Sequence, residues 1–417
     1  MASSPAPVAA AQRFPGLAVL RHGQFARFAL CRLFATLSWQ MLAVAVAWQV
    51  YALTHDPLAL GLVGLSEFLP FLCLVLIGGH VADQADRRDV LVIAWSIEAL
   101  CIGVLLWLTN AGGRAVWPIY LVIATFGSTR AFYAPSMQAI VPTLVPREEF
   151  PRALAINSTL FQVAVITGPA LGGVLFLLGP TVVFGVCLAL FVATVLLTLS
   201  LGSHRALRDA AAAPTSTGHQ LLEGLRYVLH QRLVLGVISL DLFAVLFGGA
   251  TALLPIFAGE VLRIGPVGLG LLRTAPGLGA AVTAGLLTLR PINRHAGVYM
   301  FAGVGVFGLC TIVFGLSRNV LLSVAALFVL GCGDMLSVYV RGILVQLNTP
   351  DSIRGRVSAI NSIFIGGSNE LGEFESGVTA RWFGAVRAVL LGGVLTLAVV
   401  GGWMGLFPQL RRLDRLR

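Results

Sequence analysis

Apolar residues gather in long unbroken blocks along this chain. Most blocks reach about 20 residues, the length a helix needs to cross the hydrocarbon core of a bilayer. Polar breaks separate them, among others at Thr54–Pro57, Asp83–Asp89, Asn110–Arg114, Pro146–Pro151, Gly179–Pro180 and Asn348–Arg356. The pattern predicts twelve helical spans, at 25–53, 58–82, 90–109, 117–141, 153–178, 180–202, 233–259, 265–289, 297–316, 319–344, 357–380 and 384–408. A membrane barrel would alternate apolar and polar residues over strands of about ten residues, and this chain does not.

The longest polar stretch, Ser203–Gly218, divides the spans six and six. Its Ala210–Thr217 portion has the composition of a flexible linker. Beyond it, Leu221, Leu222, Leu225, Val228 and Leu229 recur at helical spacing within His219–Arg232. That spacing predicts an amphipathic helix lying on the membrane surface. The expected organisation is an N-terminal cytoplasmic segment (1–24), a six-helix bundle (25–202), a linker with the amphipathic helix (203–232), a second six-helix bundle (233–408) and a basic tail (409–417).

Composition agrees. Of 417 residues, 57% are hydrophobic and 11% charged, with a mean hydropathy of +0.90. A soluble domain carries about a quarter charged residues. All 28 basic residues are Arg, and the net charge is +10. The arginines are scattered between apolar runs, without the clustering of a phosphate-binding face, so nucleic acid is not an expected partner. They follow topology instead. With both termini cytoplasmic, 19 fall on the inner side, 5 on the outer side, and Arg32, Arg130, Arg273 and Arg341 lie within spans. The N-terminus lacks the charged region of a cleavable signal peptide.

The six cysteines sit in apolar runs without a CxxC pair and read as small buried hydrophobes. The seven histidines stand at or beyond the ends of the runs. No metal set, cofactor motif, Walker-type phosphate loop or nucleophile–base motif occurs, which disfavours an enzyme or an ATP-driven pump.

The chain repeats itself. Pro146-Arg-Glu-Glu-Phe-Pro-Arg-Ala-Leu-Ala-Ile-Asn-Ser158 aligns without gaps on Pro350-Asp-Ser-Ile-Arg-Gly-Arg-Val-Ser-Ala-Ile-Asn-Ser362, 204 residues later. The register continues through Gly168/Gly372, Gly173/Gly377 and Val174/Val378. Two halves of the same topology, related by an axis along the membrane normal, are the physical reading.

Between spans 2 and 3 stands Gly79-His-Val-Ala-Asp83-Gln-Ala-Asp86-Arg87-Arg88. It resembles the loop signature of the major facilitator superfamily, a Gly, an Asp four residues on, and a basic pair. Gln84 and Asp86 depart from the usual Arg and Gly. The Asp-Arg-Arg ending, together with the stretch Thr349–Ser376, is similar to the siderophore-exporter branch, the enterobactin exporters among them. The resemblance implies that the loop is a conformational latch: Asp83 would contact a helix terminus of the neighbouring half, and Arg87 and Arg88 would pair with carboxylates. Plain positive-inside charge is the simpler alternative. The equivalent second-half loop, Gly285–Arg294, lacks the Asp. In span 5, Gly168-Pro169-Ala170-Leu171-Gly172-Gly173 resembles the end of the superfamily's antiporter signature. Glycines allow close helix approach, and Pro169 removes a backbone donor and bends the span. Generic small-residue packing would read the same.

A charge at a span centre costs at least ~2.5 kcal/mol, so each needs a reason. Glu370 and Glu373 lie three residues apart near the middle of span 11 and share a helix face. Two close acids cannot both ionise easily, which suits a proton-coupled carrier; a structural salt bridge to Arg130 or Arg273 is the other reading. Asp241, Asp334 and Glu67 are further proton-coupling candidates. Glu375 lies on a different face from the Glu370 pair. Arg32, Arg130, Arg273, Trp39, Tyr133 and Phe247 are candidates for substrate binding, with Arg32 and Arg130 suggesting an anionic cargo. Snorkelling, structural pairing or lipid contact are the alternatives for these. By the resemblance, spans 3, 6, 9 and 12 lie outside the central cavity, so Glu98 on span 3 is read as a carboxylate near the inner rim.

The expectation, by that resemblance, is an all-α membrane protein of twelve transmembrane helices in two pseudo-symmetric six-helix bundles: a monomeric, inner-membrane secondary transporter of major facilitator architecture, working by alternating access in the lipid bilayer. Protons would drive export of a siderophore-like or drug-like molecule. An importer or a lysophospholipid flippase of the same fold would share nearly every feature.

Overall fold

The structure is a computed structural model and describes residues 17–202, 217–292, 294–350 and 353–414; the side chains of Leu17, Asp83 and residues 217–221 lie outside the description. The expectations for the N-terminal segment before residue 17, for the linker at 203–216 and for the last three residues of the tail fall outside it as well. The first six spans are α1 (Gly23–Thr54), α2 (Pro57–Gln84), α3 (Arg87–Asn110), α4 (Trp117–Leu144), α5 (Phe150–Leu175) and α6 (Pro180–Leu199). The linker helix α7 (Thr217–His230) follows. Span 7 comprises α8 (Arg232–Gly248) and the short α9 (Leu254–Ile256); the rest are α10 (Gly265–Leu289), α11 (Ala296–Leu316), α12 (Val320–Leu347), α13 (Arg354–Phe383) and α14 (Ala385–Leu406), before the short α15 (Pro408–Arg411).

Local chemistry explains most boundaries. Asp56 and Asp86 cap α2 and α3, accepting hydrogen bonds from the Leu58 and Arg88 amides, each at 3.0 Å. Proline opens several helices just after their start, where its missing N–H costs nothing. Among the described residues, ten helical segments are long and apolar enough to cross a membrane. The other two spans, α4 and α13, are 28 and 30 residues long but too polar for that count. Their polar side chains meet each other in the interior.

Two six-helix bundles result. In the first, α2 packs on α4, α1 on α5 and α6, and α3 on α4 and α6. The second repeats each pairing with equivalent helices: α10 on α12, α8 on α13 and α14, and α11 on α12 and α14. Across the halves, α2 meets α13 and α5 meets α10, and each crossing is the image of the other under the repeat. The sequence repeat is thus a structural one, with α5 and α13 starting 204 residues apart.

The closest cross-bundle approaches involve glycines. A Cβ on Gly61 would lie 3.1 Å from the Gly377 Cα, and one on Gly173 would lie 3.1 Å from the Gly270 Cα. Gly173 and Gly377 are partners in the repeat. Both crossings lie toward the far face, opposite the chain termini. The core divides accordingly. Far-face residues of the second half, including Leu253, Phe257, Leu272 and Phe314, join one hydrophobic core with the first half. Terminal-face residues, including Val237, Met300, Leu344 and Val399, form a separate core with Val228 of α7. The halves are therefore welded at the far face and packed separately at the terminal face.

Three expectations need correction. Span 7 is not one continuous helix. It breaks at Gly248–Gly249, winds through Ala250–Leu253 and ends in a π-turn at Phe257–Val261. The break lets α13 approach; a Cβ on Gly249 would lie 2.9 Å from the Gly372 carbonyl carbon. Ser376 of α13 donates to the freed Gly249 carbonyl at 2.9 Å, which meets the membrane's demand for a partner. Second, α7 does more than lie on a surface. Gly224 packs on the Arg356 backbone, Glu223 pairs with Arg356, and Tyr227 donates to the Asn348 carbonyl, while Leu222 and Leu229 are exposed. Its opposite face is thereby seated on the second half. Third, the described contacts of the Arg87 and Arg88 guanidiniums go to backbone carbonyls, where carboxylates were expected.

Replacing Gly377 with Leu should overfill the α2–α13 crossing at a cost of about 1–3 kcal/mol. A lowered melting temperature of the purified protein, absent for Leu at the unobstructed Gly285, would check this.

Candidate functional site

At mid-membrane the two bundles share a guanidinium. Arg130 stands near the centre of α4, and its Nη1 donates to Glu67 Oε1 of α2 at 2.8 Å. The same nitrogen contacts Glu370 Oε1 of α13, in the other bundle. The Phe71 ring lies 4.9 Å from the guanidinium carbon, a cation–π contact that sequence reasoning did not anticipate. Glycines let these helices close in: a Cβ on Gly64 would lie 2.9 Å from the Glu370 carbonyl oxygen, and one on Gly366 would lie 3.5 Å from Arg130 Nη2.

Glu373, one turn from Glu370, faces the other way in charge terms. A Cβ on Gly64 would lie 3.0 Å from its Oε2, and it is within electrostatic reach of Arg273 on α10 and of Glu67. Arg273 Nη1 and Glu370 Oε2 are both buried without a hydrogen-bond partner. The junction thus holds three carboxylates, Glu67, Glu370 and Glu373, against two guanidiniums, Arg130 and Arg273. One acid has no cation of its own. Of the two readings of Glu370, the salt bridge to Arg130 is present in this structure.

Beside the junction, in the first bundle, lies a cavity of about 260 Å³. Its walls include Trp39 and Gln40 of α1, Glu67, Arg130 and Tyr133. Trp39 stacks on Phe126, with ring centres 5.1 Å apart. The walls also include Trp95 and Glu98 of α3. Glu98 corrects the expectation of a rim carboxylate: it sits halfway along α3, is 2% exposed, and its Oε1 shares a hydrogen bond with Thr129 Oγ1 at 2.7 Å. Its intramembrane position was visible in the sequence; the superfamily's helix layout pointed away from it. Arg32 stands beyond Phe161, its guanidinium carbon 5.3 Å from that ring, with a buried Nε lacking a partner.

The remaining candidates separate from this cluster. Asp241 of α8 pairs with Arg341 of α12, and both side chains are buried within the second bundle. Asp334 lines a small neighbouring cavity with Asp241 and Ser337. Phe247 stacks at 6.2 Å on Phe243 in the second bundle and is not among the walls of the first-bundle cavity. Glu375 accepts a hydrogen bond from Thr379 at 2.7 Å on its own helix.

In the loop after α2, the expected contact of Asp83 lies outside the description, and the two arginines reach helix carbonyls. Arg87 donates to the Ala139 carbonyl of α4 at 2.8 Å, and Arg88 to the Leu199 carbonyl of α6 at 2.6 Å. Leu199 closes α6, where carbonyls lack intrahelical donors and the helix dipole favours a cation. Asp86, where glycine is usual, is the cap of α3. Gly79 is half-buried, and its neighbour Gly78 makes the close approach to α4, a Cβ there lying 3.1 Å from the Phe132 amide nitrogen. In α5, a Cβ on Gly168 would lie 3.3 Å from the Leu37 carbonyl, one on Gly172 would lie 3.0 Å from the Met41 Cα, and Gly173 faces α10. The segment around Pro169 therefore seats α5 against α1 on one side and the second bundle on the other. Where Arg21 and His22 precede α1, both contact Glu149, which links the chain start to the turn before α5.

A two-bundle helical carrier with a charged midplane junction is the architecture of the major facilitator superfamily. Residues 15–416 match the family described as transmembrane secretion effector, and the chain belongs to that family. It is 28% identical over 400 residues to the enterobactin exporter EntS of Escherichia coli O1:K1, covering 91% of this chain and 92% of the relative. It is 24% identical over 374 residues to the MFS-type transporter YfiS of Bacillus subtilis, covering 87% of each. Among solved structures, the nucleoside transporter NupG superposes with a TM-score of 0.72 at 15% identity, covering 92% of this chain and 99% of that one. A POT family transporter in complex with 5-aminolevulinic acid gives 0.71 at 11% identity, covering 93% and 96%. These two likenesses concern the fold alone.

Removing Arg130 as Met would strand Glu67 and Glu370 in the interior, at a cost of about 3–5 kcal/mol. Adding Glu67→Gln and Glu370→Gln should recover much of that loss in a thermal unfolding assay.

Proposed function

We propose that this multi-pass membrane protein is a proton-coupled secondary transporter. It exports a small amphipathic organic molecule, siderophore-like or drug-like, across the bacterial inner membrane by alternating access. Both termini face the cytoplasm, the side to which the arginine distribution assigns them. The observation that carries this reading is the Arg130 guanidinium shared between Glu67 of one bundle and Glu370 of the other.

The coupling logic follows from charge. An ionised Glu370 holds Arg130 and helps keep the far face shut. A proton on Glu370 breaks that link. A ligand in the adjoining cavity that parts Arg130 from Glu370 breaks it as well. The two releases are alternatives, so either a proton or a cargo molecule accompanies each transit. Glu373 and Arg273 tune the same junction, because three acids face two guanidiniums there. Asp241 and Asp334 serve as a secondary acid pair in the second bundle, where Arg341 already neutralises Asp241. The similarity to enterobactin exporters favours export over import.

Replacing both Glu370 and Glu373 with Gln should cut pH-driven ethidium transport in proteoliposomes at least about tenfold, a loss of roughly 1.4 kcal/mol or more in coupling. Undiminished transport by that variant would defeat the assignment. Inverted vesicles energised with a proton gradient should accumulate ethidium, whereas right-side-out vesicles should not.

A further inference from the structure

Glu98 is not used in the coupling scheme, yet it is among the most completely buried charged side chains of the protein. It lies in the wall of the first-bundle cavity, among six aromatic rings: Trp39, Trp95, Phe126, Tyr133, Phe161 and Phe191. Trp39 and Phe126 stack with their planes 29° apart, and Phe191 meets Phe126 edge-on at 6.1 Å. Such rings present negative faces to a flat or cationic guest.

The hydrogen bonds around Glu98 leave a proton to be accounted for. Thr129 Oγ1 lies 2.7 Å from Glu98 Oε1 and 2.9 Å from the Phe126 carbonyl oxygen. A threonine hydroxyl has one proton, and both neighbours are acceptors if Glu98 is ionised. A protonated Glu98 resolves this: it donates to Thr129 Oγ1, which donates to the carbonyl. Among the described residues, Arg130 is the one cation in the cavity wall, and two carboxylates hold it; Arg32, without a carboxylate, stands outside the wall. From α2 comes Glu67, already on Arg130; from α4, Arg130 and Tyr133; from α1, Arg32 beyond Phe161; from α13, Glu370 on the far side of Arg130; and α3 itself adds Cys101. With Glu98 protonated, Glu67 and Glu370 balance Arg130 and Arg32, so a cation entering the cavity meets a matching charge only when Glu98 ionises.

We infer that this cavity binds the flat, positively charged head of an organic cation, with Glu98 as its counter-charge, and that Glu98 gives up its proton to water when the cation enters. The proton leaves the carboxyl O–H, the electron pair stays on the carboxylate, and the cation replaces the lost charge. No other bond changes. This deepens the transport reading, on which it rests for its biological use, and it replaces the anionic cargo expected from Arg32 and Arg130. Arg130 is unsuited to that role because two carboxylates already hold it.

The test uses the full-length protein in phosphatidylcholine nanodiscs, without any gradient. The probes are N-methylquinolinium and naphthalene-1-sulfonate, flat two-ring ions of opposite charge, followed by quenching of tryptophan fluorescence. The cation should bind at least about tenfold more tightly than the anion, its affinity should rise with pH, and calorimetry in buffers of different ionisation enthalpy should register proton release. Glu98→Gln should lose about tenfold or more in cation affinity and abolish the proton release, while Glu98→Asp keeps the preference for the cation. Equal binding of the two probes, or cation binding without proton release, overturns the proposal. Both of those outcomes are read on the unmodified protein, so a poorly folding variant does not shield it. Binding is measured without transport, so a failure of Glu370 and Glu373 to couple protons to flux leaves this result standing, and the reverse holds equally.

Discussion

Arg130 belongs to both bundles. Its guanidinium is held by Glu67 from its own half and by Glu370 from the other, in a region where an unpaired charge would cost several kcal/mol. Desolvating three charged groups makes such a cluster a poor source of raw stability. Its value lies in linkage: whatever changes the charge of one member changes the grip between the bundles. The polarity of α4 and α13, which sets them apart from the ten apolar spans, follows from this arrangement.

The charged junction requires close backbones, and the repeat supplies them. Gly61 against Gly377 and Gly173 against Gly270 bring the halves into contact at two crossings related by the internal symmetry. Small residues do this work in membranes because lipid offers no hydrophobic drive between helices, leaving packing and hydrogen bonds. The broken span 7 serves the same end, since the gap at Gly248–Gly249 makes room for α13 at Gly372. The far face is closed by these contacts, and the two separate cores on the terminal face leave the bundles free to part there.

Symmetry of backbone does not extend to charge. The residue 204 positions after Arg130 is Asp334, an acid in place of a base. In the second bundle the guanidinium comes from Arg341 and pairs locally with Asp241, across α8 and α12. The first bundle instead exports its cation to the interface and keeps an aromatic cavity with Glu98 in its wall. One half thus offers a ligand-sized space and the other a nearly filled core. The loops differ as well, because the Asp at position 83 has no counterpart in Gly285–Arg294.

Span number, span limits within a few residues, the internal repeat and the membership of Glu67, Arg130, Glu370 and Glu373 in the membrane interior were all legible along the chain. Length of apolar run, turn residues and the cost of buried charge are local properties, and they need no knowledge of neighbours. Partnership is not local. That Glu370 meets Arg130, that Arg87 and Arg88 meet carbonyls, that Arg341 belongs with Asp241, and that Glu98 faces a cavity rather than a rim depend on which helix faces lie together. Those choices are made where backbones cross, by glycines whose effect appears only once a second helix is beside them.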